Sequence, residues 1–211
     1  MLVTGFEPFG GEDVNPSWEI CGALPGAIGH ARVETLRVPT RFRTAIETVA
    51  AAMERIEPSL VLLLGQAGGR AAISVERVAI NVDDARIADN AGAQPIDEPI
   101  APSGPAAYFA TVPVKAMVAA MREAQVPAEV SNTAGTFVCN HLLYGVLHFI
   151  AASGRPTRAG FIHVPWLDTQ AFARPGEPSM ALGTMVRGVE ASLAAALATA
   201  VDVRMAAGKL D

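Results

Sequence analysis

VETLRVPTRFRTAIETVAAAMERIEPSLVLLL, residues 33–64, carries the pattern that decides the fold. Residues 33–38 alternate as a strand does. Within residues 41–56, Phe42, Ala45, Ile46, Val49 and Met53 recur at helical spacing, and Pro58, which cannot continue a helix, closes it. Residues 60–64 then run without a polar side chain between turn residues, the signature of a strand buried on both faces of a parallel sheet. Strand, helix, strand in this order is a crossover unit, and its handedness sets the helix against one sheet face.

The same alternation extends in both directions. Toward the N-terminus, residues 2–5 read as a short strand entering a Gly/Pro/Asn loop, and Pro16-Ser17-Trp18 as the first turn of a helix ending near Pro25-Gly26. Toward the C-terminus, residues 74–81 and 85–87 read as short strands or a hairpin about Asp83-Asp84. A Gly/Pro/Asp-rich irregular stretch follows over 89–105. Helices are then predicted over 113–125, 137–152 and 180–200, with strands over 128–131 and 159–164. The expectation is an α/β sandwich with a mostly parallel central sheet and helices on both faces. No repeat, linker or composition break divides it, so residues 1–211 are read as a single domain.

Composition bounds the function. Hydrophobic residues make up 51% and charged residues 18%, below the usual charged share of about 25%, so a packed core rather than a disordered chain is expected. A net charge of -5 offers no basic surface for nucleic-acid phosphates or anionic lipid. Two Cys and four His restrict any cysteine or histidine chemistry to six side chains. No Cys-x-x-Cys or His-Glu-x-x-His spacing points to zinc, and two distant Cys make no disulfide framework, which fits a reducing, cytoplasmic setting. MLVTGFEPFG lacks the basic stretch and long apolar run of a secretory signal. The longest uncharged stretch, residues 130–154, carries Ser131, Asn132, Thr133, Asn140 and two His, which argues against a bilayer span and for a soluble protein.

Of the six, Cys139 stands in SNTAGTFVCNHLLYG, after a predicted strand and a glycine turn, where a helix begins. The free N–H groups and dipole there favour a thiolate and receive a developing oxyanion. The same surroundings of Phe137, Val138, Leu142 and Leu143 also suit a small buried hydrophobe. His163, in GFIHVPWLD, falls at the C-terminal end of an apolar strand, where α/β sheets bind ligands, or else is a structural strand-end histidine. Glu76 interrupts the apolar strand AISVERVAIN; it needs a partner such as a histidine, or faces water at an edge beside Arg77. Cys21 reads as packing, His30 as solvated, and His141 and His148, seven residues apart on one helix, as bland. Arg70, Arg86, Asp83, Asp84 and Asp89 read as an ion-pair network, and GQAGGR at residues 65–70 as a weak phosphate cradle, since it lacks the G-x-G-x-x-G order.

GFEPFGG and NPSWE at residues 5–19, GQAGGR, ERVAIN, DARIADNAGAQPID, SNTAGTFVCNHLLYG and GFIHVPWL together resemble the pyroglutamyl peptidase I (pyrrolidone-carboxylate peptidase) cysteine peptidases over nearly the whole chain. The resemblance implies a three-layer α/β/α sandwich, no metal or organic cofactor, and hydrolysis of an N-terminal pyroglutamyl residue from peptides. The family's triad falls on Glu76, Cys139 and His163. A thioester acyl-enzyme is implied, starting from a Cys139 thiolate or a thiolate–imidazolium pair with His163. Phe6, Phe9, Phe137 and Val138 would hold the lactam ring and Gln66 would read its amide. The backbone of Cys139 with Arg86 would receive the oxyanion, while Asn15 and Asp89 position loops, Asn15 counting with the substrate residues. A flat, uncharged lactam calls for apolar walls and a few fixed hydrogen bonds. A homo-oligomer, dimer or tetramer, is also implied. The chain departs from members of the family in having Met1 lead straight into the first strand and in carrying Trp166 where other bulky residues occur. Two other readings remain at this point: a nucleoside phosphorylase-like enzyme using GQAGGR for phosphate or sugar, and a non-catalytic binder of pyroglutamate.

Overall fold

Residues 1–208 are described in the computed structural model; residues 209–211, the end of the span read as one domain, lie outside the described residues. The chain runs β1 (Leu2–Phe6), α1 (Pro16–Ala23), β2 (Ala27–Ile28), β3 (Ala31–Arg32), β4 (Glu34–Val38), α2 (Thr44–Ile56) and β5 (Leu60–Gln66). It continues β6 (Ile73–Glu76), β7 (Val78–Ile80), β8 (Ala107–Phe109), α3 (Val114–Glu123), β9 (Ala128–Ser131), α4 (Val138–Ser153), β10 (Arg158–Val164), α5 (Asp168–Ala171) and α6 (Leu182–Ala198). The central sheet has the order β4-β1-β5-β10-β6-β9, and every pairing in it is parallel except β10 with β6.

Side-chain alternation along the strands builds two cores. Leu2, Val61, Leu63, Ala159 and Phe161 pack with Ala45, Val49 and Met53 of α2 and Leu142 and Leu143 of α4. Val3, Leu60, Leu62, Leu64, Ile162 and Val164 pack on the other face with Ile20 of α1, Met117 and Met121 of α3, and Met185, Val189 and Leu193 of α6. The result is three layers, helix, sheet, helix. β5, apolar up to its last residue, Gln66, and buried at every position, occupies the interior of the sheet because it needs cover on both faces. No helix among the described residues is long and apolar enough to cross a membrane.

Local chemistry sets the element ends. Asn15 caps α1 by accepting the Ser17 N–H at 3.1 Å, with Pro16 next in the first turn. Ser17 in turn accepts the Phe6 N–H through Oγ at 2.9 Å, fastening β1 to α1. A Cβ on Gly5 would lie 2.4 Å from the Ser17 carbonyl oxygen, so glycine is what permits this approach. α4 ends at Gly154, whose φ of 63° is the left-handed turn that glycine adopts without strain.

The segment expected as a hairpin about Asp83-Asp84 differs. It splits at Arg77: β6 enters the central sheet, while β7 leaves it and pairs antiparallel with β8, inside what reads in sequence as the approach to a helix. Residues 85–87 form no strand; Asp83 instead bridges to Glu98 within the irregular segment. The reason is a side chain far along the chain. Asn140 of α4 accepts the Ile80 N–H at 3.0 Å and donates to the Ile80 and Val82 carbonyls at 2.9 and 3.0 Å, standing in for a neighbouring strand.

Candidate active site

The sheet brings three separate segments together on its α4 face. Phe161 and His163 of β10 point to that face, and the antiparallel register sets Glu76 opposite Phe161 and Ser74 opposite His163. Glu76 and His163 are thus diagonal neighbours, within reach of long side chains. His163 Nδ1 lies 2.7 Å from Glu76 Oε1, with Glu76 fully buried and His163 4% exposed. Cys139 occupies the second position of α4, where backbone N–H groups have no partner within the helix. Gly65, in register with His163 across β5 and β10, makes the room: a Cβ there would stand 3.0 Å from Cys139 Sγ and 2.7 Å from the Phe161 ring. The thiol therefore lies over the strand pair that carries the imidazole.

Burial and charge set the protonation states. Burial works to raise the Glu76 pKa, but the His163 hydrogen bond and charge, Ser131 and Arg70 outweigh it and hold the carboxyl below its usual range. Glu76 is an anion, so His163 Nδ1 is the donor between them. Burial lowers the His163 pKa more than Glu76 raises it, with Arg70 adding to the fall, so the resting imidazole is neutral. Cys139 keeps part of its surface open, yet its thiol is pushed up to about 12, chiefly by burial and further by Glu76, with Arg70 opposing. These directions favour a resting thiol and neutral imidazole over the expected thiolate or ion pair. Cys21, buried in α1, is also pushed up to about 12 by burial and packs in the core.

The expected substrate residues divide. Phe9 and Phe137 face each other with ring centroids 6.2 Å apart, and Phe42 meets Phe137 edge-on at 5.4 Å. Phe9, Gln66, Arg86, Trp166 and Arg174 border a cavity of about 650 Å³. Gln66 Oε1 accepts from Gln170 Nε2 at 3.3 Å, which leaves its amide N–H groups as the free donors. Arg86 is exposed on that wall. Phe6 and Val138 are instead packed in the core, 2% and 0% exposed. Asn15 is 1% exposed: besides capping α1 it donates to the Glu7 carbonyl at 3.1 Å, so it shapes the first loop from behind. Asp89 likewise accepts the Phe42, Ala91 and Ala93 N–H groups at 2.8–2.9 Å and fixes Phe42 against Phe137.

Among the described residues the expected ion-pair network does not form. Arg70 pairs with Glu76 at 2.7 Å, and Asp83 pairs with His141 at 2.7 Å. His141, read as bland, is held at both nitrogens, because its Nε2 accepts the Arg43 N–H at 2.8 Å. His148 meets the Tyr108 hydroxyl at 2.9 Å, and His30 is exposed. Arg70, Ser131 and Phe42 are the site neighbours that sequence reasoning misses. Only the position of Arg70 at the end of GQAGGR, next to an apolar strand, carried a signal. Among the described residues no group of three or more His, Cys, Asp or Glu is placed to hold a metal ion.

Comparison with known proteins agrees over the full fold. The pyroglutamyl peptidase family profile matches residues 1–199. The pyrrolidone-carboxylate peptidase of Cupriavidus pinatubonensis is 57% identical over 212 residues, covering 100% of this chain and 98% of its own. That of Erwinia tasmaniensis is 54% identical, covering 99% and 97%. Among solved structures, the pyroglutamyl peptidase I of Bacillus amyloliquefaciens superposes with a TM-score of 0.93 at 43% identity, covering 96% of this chain and 98% of its own.

Proposed function

The chain belongs to the pyroglutamyl peptidase family, and we infer that it is a cysteine-type hydrolase that removes N-terminal pyroglutamate from peptides through Cys139, His163 and Glu76. The observation that carries the triad is the 2.7 Å bond from His163 Nδ1 to the buried Glu76 carboxylate, on the face that the first turn of α4 covers with Cys139. Bonding at Nδ1 leaves Nε2 as the ring nitrogen with a free lone pair.

The reaction follows from the resting protonation states. His163 Nε2 takes the Cys139 proton as Sγ attacks the pyroglutamyl carbonyl carbon, so the ion pair forms only as the bond forms. The oxyanion is received by the free N–H of Cys139 at the α4 N-terminus, with Arg86 nearby. The imidazolium returns the proton to the leaving amine, the C–N bond breaks, and a thioester remains. Water, deprotonated by His163, then attacks the thioester, releasing pyroglutamate and restoring the thiol. Glu76 holds the ring in the correct tautomer and stabilises the transient imidazolium. The lactam packs against the Phe9 and Phe137 rings, and the Gln66 amide donates to its carbonyl. Phe6, Val138 and Asn15 act from behind these walls.

The test is release of a chromogenic amine from a pyroglutamyl amide. Cys139→Ala must abolish release and Cys21→Ala must keep it; normal release by Cys139→Ala would overturn the mechanism. The reading also takes residues 1–211 as one cytoplasmic peptidase domain acting as a dimer or tetramer. Exposed Phe109 and Ile96, at 70% and 68%, support assembly, and a purely monomeric sedimentation profile at micromolar concentration would remove that part.

A further inference from the structure

We propose that Arg70 is a positioning residue of the triad, its guanidinium holding Glu76 and the loop before Cys139 in one arrangement. The proposal rests on the triad reading above. Arg70 Nη1 lies 2.7 Å from Glu76 Oε1, the same oxygen that accepts from His163 Nδ1. Its Nη2 lies 3.4 Å from the Thr133 carbonyl, which also accepts from Ser131 Oγ at 3.1 Å. Thr133 belongs to the loop between β9 and α4, so one side chain ties the orienting carboxylate to the segment that delivers the nucleophile.

The charge balance requires such a group. A general base must rest as neutral imidazole, and a neutral imidazole leaves the fully buried Glu76 an anion without a countercharge, which is costly inside a protein. Arg70, with its side chain 27% exposed, supplies that charge from the rim. A positive charge there also disfavours imidazolium and favours thiolate, and Arg70 lowers both the His163 and the Cys139 pKa. The charged and titratable groups around the carboxylate are Arg70 from the turn after β5, His163 from β10 and Cys139 from α4. Glu129 on β9 is the next acid along the face, accepting from Ser74 Oγ at 3.3 Å. Among the described residues Arg70 is thus the only cation in contact with Glu76 when His163 is neutral.

The experiment compares wild type, Arg70→Gln and Arg70→Lys on a pyroglutamyl amide across pH, with thermal melts to confirm folding. In Arg70→Gln, kcat falls about tenfold or more while KM stays within about threefold, since the lost contact is a charged hydrogen bond away from substrate. The acid limb of kcat/KM, which reports His163 losing its proton, moves to higher pH once the cation no longer disfavours imidazolium. Arg70→Lys keeps the charge, so its acid limb stays near wild type and its kcat is intermediate. An Arg70→Gln enzyme with wild-type kcat and an unmoved acid limb overturns the proposal. So does lost activity with an unmoved limb, which marks packing alone. Should Arg70→Gln fail to fold, wild-type kcat in Arg70→Lys overturns it. An inactive wild type would instead overturn the underlying peptidase reading.

Discussion

His163 donates from Nδ1 to Glu76 at 2.7 Å, and His141 donates from Nδ1 to Asp83 at 2.7 Å. Both pairs are buried. They part at the second ring nitrogen. His141 Nε2 is taken by the Arg43 N–H at 2.8 Å, at the start of α2 where Arg43 holds a φ of 61°. His163 Nε2 has no hydrogen bond among the described residues. A histidine with both nitrogens engaged is a strut, and one with a nitrogen to spare has a lone pair able to take a proton. The carboxylates differ too: Glu76 has Arg70 as a second partner, and Asp83 depends on His141.

The largest effect should separate the two imidazoles. His163→Ala is expected to lower kcat by about 10³-fold or more, yet to fold, because Arg70 still neutralises Glu76. His141→Ala should do the reverse: near-normal activity in whatever folds, with a loss of about 2–4 kcal/mol in chemical denaturation, because Asp83 and the Arg43 N–H lose their partner in a buried place. Equal kcat losses in both variants would erase the distinction. Next comes Glu76→Gln, which removes the charge that favours the correct tautomer and leaves Arg70 unpaired. A fall in kcat of about 10²- to 10³-fold is expected, against little change in KM. Asp83→Asn should show its effect in the thermal midpoint rather than in kcat.

The pH dependence is smaller but has a definite sign. The folded His163 pKa lies below the ordinary value of 6.5, so the active neutral form persists to lower pH than in a free imidazole. The acid limb of kcat/KM should therefore fall below pH 6.5, and a limb above it would contradict the burial argument. Because the folded value is depressed, the stability linked to His163 is present above pH 6.5 and lost as pH falls below it. Cys139 and Cys21, both raised from 9.0 to about 12, act at the other end: their linked stability is present below pH 9 and lost as pH rises toward 12. The smallest effect should be Asp89→Ala. It frees Phe42 to move off Phe137 and is expected to raise KM a few-fold with kcat nearly unchanged, measured by steady-state kinetics.

How far these differences can be read from sequence varies with the residue. The crossover at residues 33–64, the helical layers and the placement of Cys139 at a helix start follow from local periodicity, and all of them form. His163 at a strand end is legible for the same reason. Glu76 was legible only as an anomaly, a carboxylate in an apolar strand whose partner no local rule names. The two histidines of α4 read alike in sequence, and nothing nearby shows that Asp83 and the Arg43 N–H, 58 and 98 residues away along the chain, lock one of them. The break at Arg77 that sets β7 apart, and its partner β8, were missed because a side chain of α4, and no local pattern, supplies the missing strand edge.

The sequence by itself determined the layers, the parallel crossover, and the small set of side chains able to act as nucleophile, base and orienter. Periodicity and scarcity are properties of the chain alone. The tertiary structure decided which nitrogen of which histidine is left free, that Arg70 pairs with Glu76 rather than with the aspartates, and that burial raises the Cys139 thiol pKa. Those outcomes depend on burial and on distances between residues far apart in the chain, and both exist only once the sheet has closed its register.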